Sequence, residues 1–154
     1  MALLPGPSSS LLSFADDLAA RWGDVLLLAG RILLASLFLA SGYGAFNNIA
    51  GTAAYLVSLG LSPPVPLAWF TAILELVLGV ALVLGVATRW AALGTFVWVL
   101  ITVITAHRYW TYPAAQQGAQ YINFLKNLSI MGGALYVFAT GAGRYAVDAI
   151  LARR

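Results

Sequence analysis

The sequence predicts an all-α integral membrane protein: an antiparallel four-helix bundle with an N-terminal amphipathic helix at the membrane interface. Three observations predict it. The 154 residues are 62% hydrophobic and only 8% charged, with a mean hydropathy of +0.90. A water-soluble domain carries roughly 25% charged residues, so this chain cannot cover a water-facing surface. Four apolar runs come close to the ~20 residues that a helix needs to cross a bilayer. These runs are too long and too continuous for the alternating strands of a barrel, the other architecture that satisfies every backbone polar group in lipid.

The elements follow in order. The opening MALLPGPSSS reads as a flexible tail; it has no basic start and no cleavage-like site, so it does not read as a secretory signal. In SLLSFADDLAARWGD, Leu11, Phe14, Leu18 and Trp22 fall at helical spacing, with Asp16, Asp17 and Arg21 elsewhere around the wheel. That pattern predicts a helix lying in the interface. Spans are predicted at 25–46, 66–87, 90–107 and 121–140. Between the first two, NNIAGTAAYLVSLGLSPPVP leaves room for a short helix at 52–59 before the break at Pro63 and Pro64. GVATR is a tight turn, and RYWTYPAAQQGAQ has the aromatic and amide content of an interfacial linker. Gly141 and Gly143 suit a helix exit. Residues 1–24 are thus tail and interfacial helix, 25–145 the transmembrane domain and 146–154 a basic tail. Short connections imply antiparallel neighbours.

Charge gives the orientation. Arg21, Arg89, Arg144, Arg153 and Arg154 share the side of the termini, with Arg31 near its edge. The opposite side has Arg108, and Lys126 lies inside the fourth span. The Lys/Arg excess predicts cytoplasmic termini and puts His107 on the outer side. The net charge of +3 is too small to argue for nucleic acid.

The chain has no cysteine and one histidine, His107. Iron–sulfur clusters, thiolate zinc sites and a bis-histidine haem are therefore excluded for this chain alone. There is no phosphate-cradling glycine loop, nucleophile elbow or pair of metal carboxylates. No internal repeat supports an inverted-repeat transporter.

Charged residues inside the spans carry the chemistry. Glu75, in FTAILELVLGVALVLG, lies roughly 13 Å from the outer end of its span. An acid at that depth costs about 2.5 to 3.5 kcal/mol and needs a partner within the protein. Ala72 and Gly79, three residues before and four after, make a stripe where another helix can approach. The fourth span holds Asn123, Lys126, Asn127 and Ser129 within barely two turns. Lys126 is about 7 Å from the outer edge and Arg31 about 9 Å from the inner edge. Long side chains could bring Glu75 to Lys126 from above or to Arg31 from below, with His107 capping the third span. The plainer alternative is that Arg31 and Lys126 reach to the headgroups while Glu75 serves as structural glue. Arg89 fits the orientation bias, or contact with an anionic lipid or cofactor. Trp69, Trp90, Trp98, Tyr109, Trp110, Tyr112 and Tyr121 read as an aromatic belt, with a stacking wall for a quinone ring as the alternative.

In their order and spacing, RILLASLFLASG, LELVLGVALVLGVATR, the histidine that ends the third span, FLKNLSIMGG and GAGRYAVD resemble the DoxX family of small four-helix membrane proteins. The resemblance runs from about Arg31 to Asp148. It implies a membrane component of redox systems, such as the small-subunit type of thiosulfate:quinone oxidoreductase, in the bacterial inner membrane. The family's polar positions correspond to Arg31, Glu75, Arg89, His107, Lys126 and Asn127. One departure is that SGYGAFNN has Ala45 and Phe46 where relatives often carry a lysine. The expectation is a quinone-interacting or proton-relaying membrane subunit that works with other redox subunits. Glu75, Lys126 and His107 would be its catalytic groups, and Arg31, Asn127 and Arg89 its cofactor contacts. The alternative expectations are a non-catalytic accessory or assembly subunit of a larger membrane complex, and a pathway for protons or a small solute.

Overall fold

The computed structural model describes residues 10–153, with side chains from Ser13 onward. Most of the predicted tail, the Leu11 side chain and Arg154 lie outside the described residues. The helices are α1 (Ser10–Asn47), α2 (Ile49–Ser58), α3 (Pro64–Leu84), α4 (Thr88–Ala106), α5 (Ala114–Thr140) and α6 (Val147–Leu151), with a 3-10 turn at Tyr109–Thr111. No strand occurs among the described residues. α1, α3, α4 and α5 are each long and apolar enough to cross a membrane.

No break marks the boundary expected at residues 24 and 25. The amphipathic segment is helical, but α1 carries it uninterrupted into the first span, because no proline stands between Ser10 and Asn47. The helix is about 57 Å long, nearly twice the ~30 Å hydrocarbon core. Its first turns therefore project beyond that core, with Phe14, Leu18 and Trp22 exposed. At the other end, the Asn48 side chain accepts the Gly51 N–H at 3.0 Å and starts α2. Pro64 opens α3, where a missing N–H costs nothing. α3 stops at Gly85, whose left-handed φ of 68° lets the chain turn into α4.

α1 packs along α3, and α4 along α5. A Cβ on Gly42 would lie 2.9 Å from the Leu76 backbone nitrogen, and one on Gly79 would lie 2.7 Å from Leu39 Cδ2. Small residues thus let α1 and α3 approach almost backbone to backbone. Ala35, Leu82, Ala91, Ala92 and Val137 form one core cluster, towards the end of the bundle where α6 lies. Phe38, Val99 and Val103 form a second, towards the His107 end. Outward-facing Leu33, Trp90 and Ile122 are 74%, 72% and 66% exposed, as suits a lipid-facing surface.

Part of the expected basic tail is folded. Residues 147–151 form α6, and Asp148 fastens it to the α3–α4 turn. Its backbone N–H donates to Gly85 O at 2.9 Å. Its carboxylate accepts the Ala87 N–H at 2.7 Å and the Thr88 N–H at 2.8 Å.

Candidate functional site

Glu75 stands at the middle of α3, about 16 Å from Pro64, and is 9% exposed. Ala72 and Gly79 flank it on the same face and both are buried, so the stripe predicted from sequence is a helix contact. Its Oε1 accepts the Trp98 indole N–H at 3.1 Å. Its Oε2 is buried and has no partner. Phe70 meets the Trp98 ring edge-on, with centroids 5.9 Å apart, and helps to hold the indole. Trp98 was expected in an aromatic belt; it lies instead in mid-α4, half-buried and turned to the acid.

Two cavities meet at this carboxyl. The smaller, about 170 Å³, places Glu75 with Trp98, His107, Asn123, Lys126 and Asn127. Asn127 is 7% exposed and its Nδ2 has no partner. Lys126 is exposed and donates to Asn123 Oδ1 at 3.0 Å. It makes no ion pair with Glu75: among the described residues, the one ion pair within 4.0 Å joins Arg144 to Asp24. His107 Nδ1 lies 2.9 Å from Gln120 Oε1. The larger cavity, about 780 Å³, is bounded by α1, α2, α3 and α4. Small residues make room for it, among them Ala40, Gly44, Ala45 and Gly51. The two share Ser41, Glu75, Trp98, Thr102 and His107.

The other two predicted residues lie elsewhere. Arg31 is fully buried but does not reach Glu75, and it does not extend to headgroups either. Its Nη1 donates to the carbonyls of Leu82 at 3.0 Å and Val83 at 3.4 Å, and its Nη2 to Tyr145 O at 2.6 Å. A cation here complements the negative end of α3 and uses carbonyls that the helix itself leaves unpaired. The proposed continuous polar chain is therefore cut below Glu75. Arg89 likewise caps a helix end: its Nη1 donates to Phe138 O at 2.6 Å and Ala139 O at 3.2 Å, in the last turn of α5. Neither arginine lines a cavity that reaches Glu75.

Asp148 was not singled out from sequence. Partial burial pushes its carboxyl up, but the Thr88 and Ala87 backbone N–H groups and the Arg31 charge together hold it below the usual carboxylate value. Gln120 was not singled out either, and Trp98 was placed in the aromatic belt with a quinone-stacking wall as the alternative, not as a partner of Glu75. The pairing of Trp98 with Glu75 depends on how α3 and α4 are rotated, which the sequence of either helix does not show, and Gln120 had no signal beyond its amide-rich surroundings. Among the described residues, no cluster of three His, Cys, Asp or Glu side chains could hold a metal ion.

Fold and site together define a small helical membrane protein with a buried acid at the meeting point of two cavities. The family model for DoxX matches residues 26–108. The chain is 34% identical over 137 residues to the inner membrane protein YphA of Escherichia coli K12, covering 89% of this chain and 96% of that protein. It is 34% identical over 131 residues to the inner membrane protein YqjF of the same organism, covering 85% and 95%. It is also 29% identical over 123 residues to the ER-derived vesicles protein ERV29 of Saccharomyces cerevisiae, covering 80% of this chain and 33% of that protein. The chain belongs to the DoxX family. No solved structure matches it.

Proposed function

We propose that this membrane protein binds a quinone, with the ring and the first part of its tail in the larger cavity and the head turned to Glu75, Trp98 and His107. One observation carries the reading: an apolar-walled cavity of about 780 Å³ ends on a buried carboxyl with a free oxygen. Its size and its few convergent polar groups suit a lipophilic ligand with a polar head. The residues fit such a group, since Glu75 Oε2 is buried and unpaired where the two cavities meet, and Asn127 Nδ2, likewise unpaired, lines the smaller one. When bound, a quinone would supply two-electron, two-proton chemistry, with the electrons exchanged through a partner redox subunit. The chain's own residues handle position and protons. Trp98 holds the carboxyl by one oxygen, and Glu75 takes up or releases a proton at the other. His107, Lys126 and Asn127 supply donors around the smaller cavity. In this reading the protein sits in a cytoplasmic membrane. Arg21, Arg89, Arg144 and Arg153 face the cytoplasm, and His107 faces outward.

The test uses the full chain purified in mild detergent. Quinone is expected among the extracted lipophilic molecules identified by mass spectrometry. An added short-tailed quinone is expected to quench tryptophan fluorescence, Trp98 being beside the site. Glu75→Gln keeps the shape and the Trp98 bond but turns an amide NH2 where the free carboxylate oxygen stood, so binding of the reduced quinol, whose hydroxyl donates to that oxygen, is expected to weaken about tenfold, the worth of one charge-assisted hydrogen bond. Equal affinity in wild type and variant would remove Glu75 from the site. If no quinone copurifies or binds, the accessory-subunit reading replaces this one, with the buried polar groups serving helix packing.

A further inference from the structure

We infer that Glu75 communicates with water on one face of the membrane only, the face that holds His107, through a vestibule beside Gln120. The inference rests on the proton-exchanging role proposed for Glu75 and adds its route and direction. The vestibule, about 550 Å³, lies at the end of the bundle where α4 leads into α5, and Arg108, Gln116 and Gln120 line it. It shares Tyr55, Leu59 and Thr105 with the 780 Å³ cavity, which in turn shares Glu75 and His107 with the 170 Å³ cavity. The three spaces adjoin in series. His107 lines the two inner ones, and its Nδ1 lies 2.9 Å from Gln120 Oε1 in the wall of the outermost. With that oxygen accepting, Nδ1 carries the proton and Nε2 keeps a lone pair for a second one. Even the smallest space exceeds by several-fold the ~30 Å³ share of a liquid water molecule, so a short water chain fits between the imidazole and the carboxyl.

The other direction is closed. Below Glu75, α3 presents Leu78, Gly79 and Leu82, all buried. Leu82 packs with Ala35, Ala91, Ala92 and Val137. Beneath that apolar layer, the Arg31 guanidinium is engaged with the carbonyls of Leu82, Val83 and Tyr145. The hollow at the start of α4, about 440 Å³, has no lining residue in common with the three spaces above. Of the ionisable groups, Glu75, His107, Lys126, Tyr55, Arg108 and Tyr112 line the open side.

The chain has no cysteine, so a single introduced thiol is read without background. The variants are Thr105→Cys and Thr102→Cys on the route, and Thr95→Cys in the closed layer, where Thr95 is 0% exposed. Each is placed in membrane vesicles of known orientation and treated with a charged, membrane-impermeant thiosulfonate. Thr105→Cys and Thr102→Cys are expected to react at least about tenfold faster from the His107 face, and Thr95→Cys from neither face until the protein is denatured. Reaction of Thr102→Cys at equal rates from both faces, or from neither, overturns the inference, as does ready labelling of Thr95→Cys. Labelling needs no quinone. One-sided labelling without quinone binding keeps the route and removes the ligand, and quinone binding with two-sided labelling does the reverse.

Discussion

Asp148 Oδ2 accepts the Thr88 backbone N–H at 2.8 Å, so the first turn of α4 is capped by a residue 60 positions further along the chain. The neighbouring Oδ1 takes the Ala87 N–H at 2.7 Å. α4 has no capping side chain of its own, because Ala87 stands where Ser, Thr or Asp would serve.

Removing that carboxylate is expected to loosen the α3–α4 turn. Asp148→Ala is expected to cost about 1 to 2 kcal/mol, the range for a lost helix cap, read as the thermal unfolding midpoint in detergent. Acid acts through the same group. Its folded value lies below the unfolded one, so the carboxylate's contribution is complete above the unfolded value and is lost as pH falls through the folded value. Wild-type stability is expected to fall below about pH 4, and Asp148→Asn is expected to flatten that fall. An equally steep acid limb in the variant would place the titrating group elsewhere.

Arg31 predicts a difference between two substitutions. Arg31→Met leaves three carbonyls without their donor and is expected to cost about 3 kcal/mol or more. Arg31→Lys keeps the charge but loses the planar fork, and is expected to cost roughly half as much. Accumulation in membranes and the unfolding midpoint measure both. If quinone binding is retained in whatever Arg31→Lys protein folds, the arginine is a fastening for the bundle and not a contact of the ligand.

The contact between α1 and α3 is tested by a pair of glycines. Gly42→Ala sets a methyl group 2.9 Å from the Leu76 backbone nitrogen and 3.0 Å from Glu75 Cβ, and a backbone cannot step aside as a side chain can. It is expected to destabilise the bundle by about 1 to 3 kcal/mol, the usual cost of overpacking. Gly132→Ala meets nothing within 4 Å and is expected not to lower stability. Equal effects would show that α1 and α3 are not in close contact.

Trp98 and Glu75 are expected to behave as one unit. Trp98→Phe leaves both carboxylate oxygens without a donor, at about 1 to 3 kcal/mol for a buried group. In Glu75→Leu the indole loses its acceptor instead. The double variant is expected to be more stable than the sum of the two losses predicts, by about 0.5 to 3 kcal/mol. Strict additivity in thermal unfolding would argue that the 3.1 Å bond contributes nothing.

Hydropathy made the four spans readable because lipid asks the same thing of every residue along a span. It placed α3 and α4 within a few residues of where they lie. The stripe of Ala72, Glu75 and Gly79 also marked the correct face of α3. Which distant groups would meet was not legible. Arg31 and Lys126 looked like natural partners for Glu75, since opposite charges attract. The structure instead gives Arg31 to carbonyls at the end of α3, Lys126 to Asn123, and Glu75 to an indole. Those choices depend on how α1, α4 and α5 are rotated about their axes, and a helical wheel of one segment does not contain that information. Asp148 escaped notice for the same reason: its role exists only once the GVATR turn is folded against α6.

The arginine fastening joins parts of the chain that are synthesised at different times. Arg31 leaves the ribosome early, yet Tyr145, whose carbonyl it requires, follows 114 residues later. The Leu82 and Val83 carbonyls follow Arg31 by only 51 and 52 residues and can take Nη1, so for the rest of that interval Nη2 alone awaits its acceptor. One guanidinium thus ties α1 to the end of α3 and to the segment after α5, so the last bond of that fastening is complete only with Tyr145 in place.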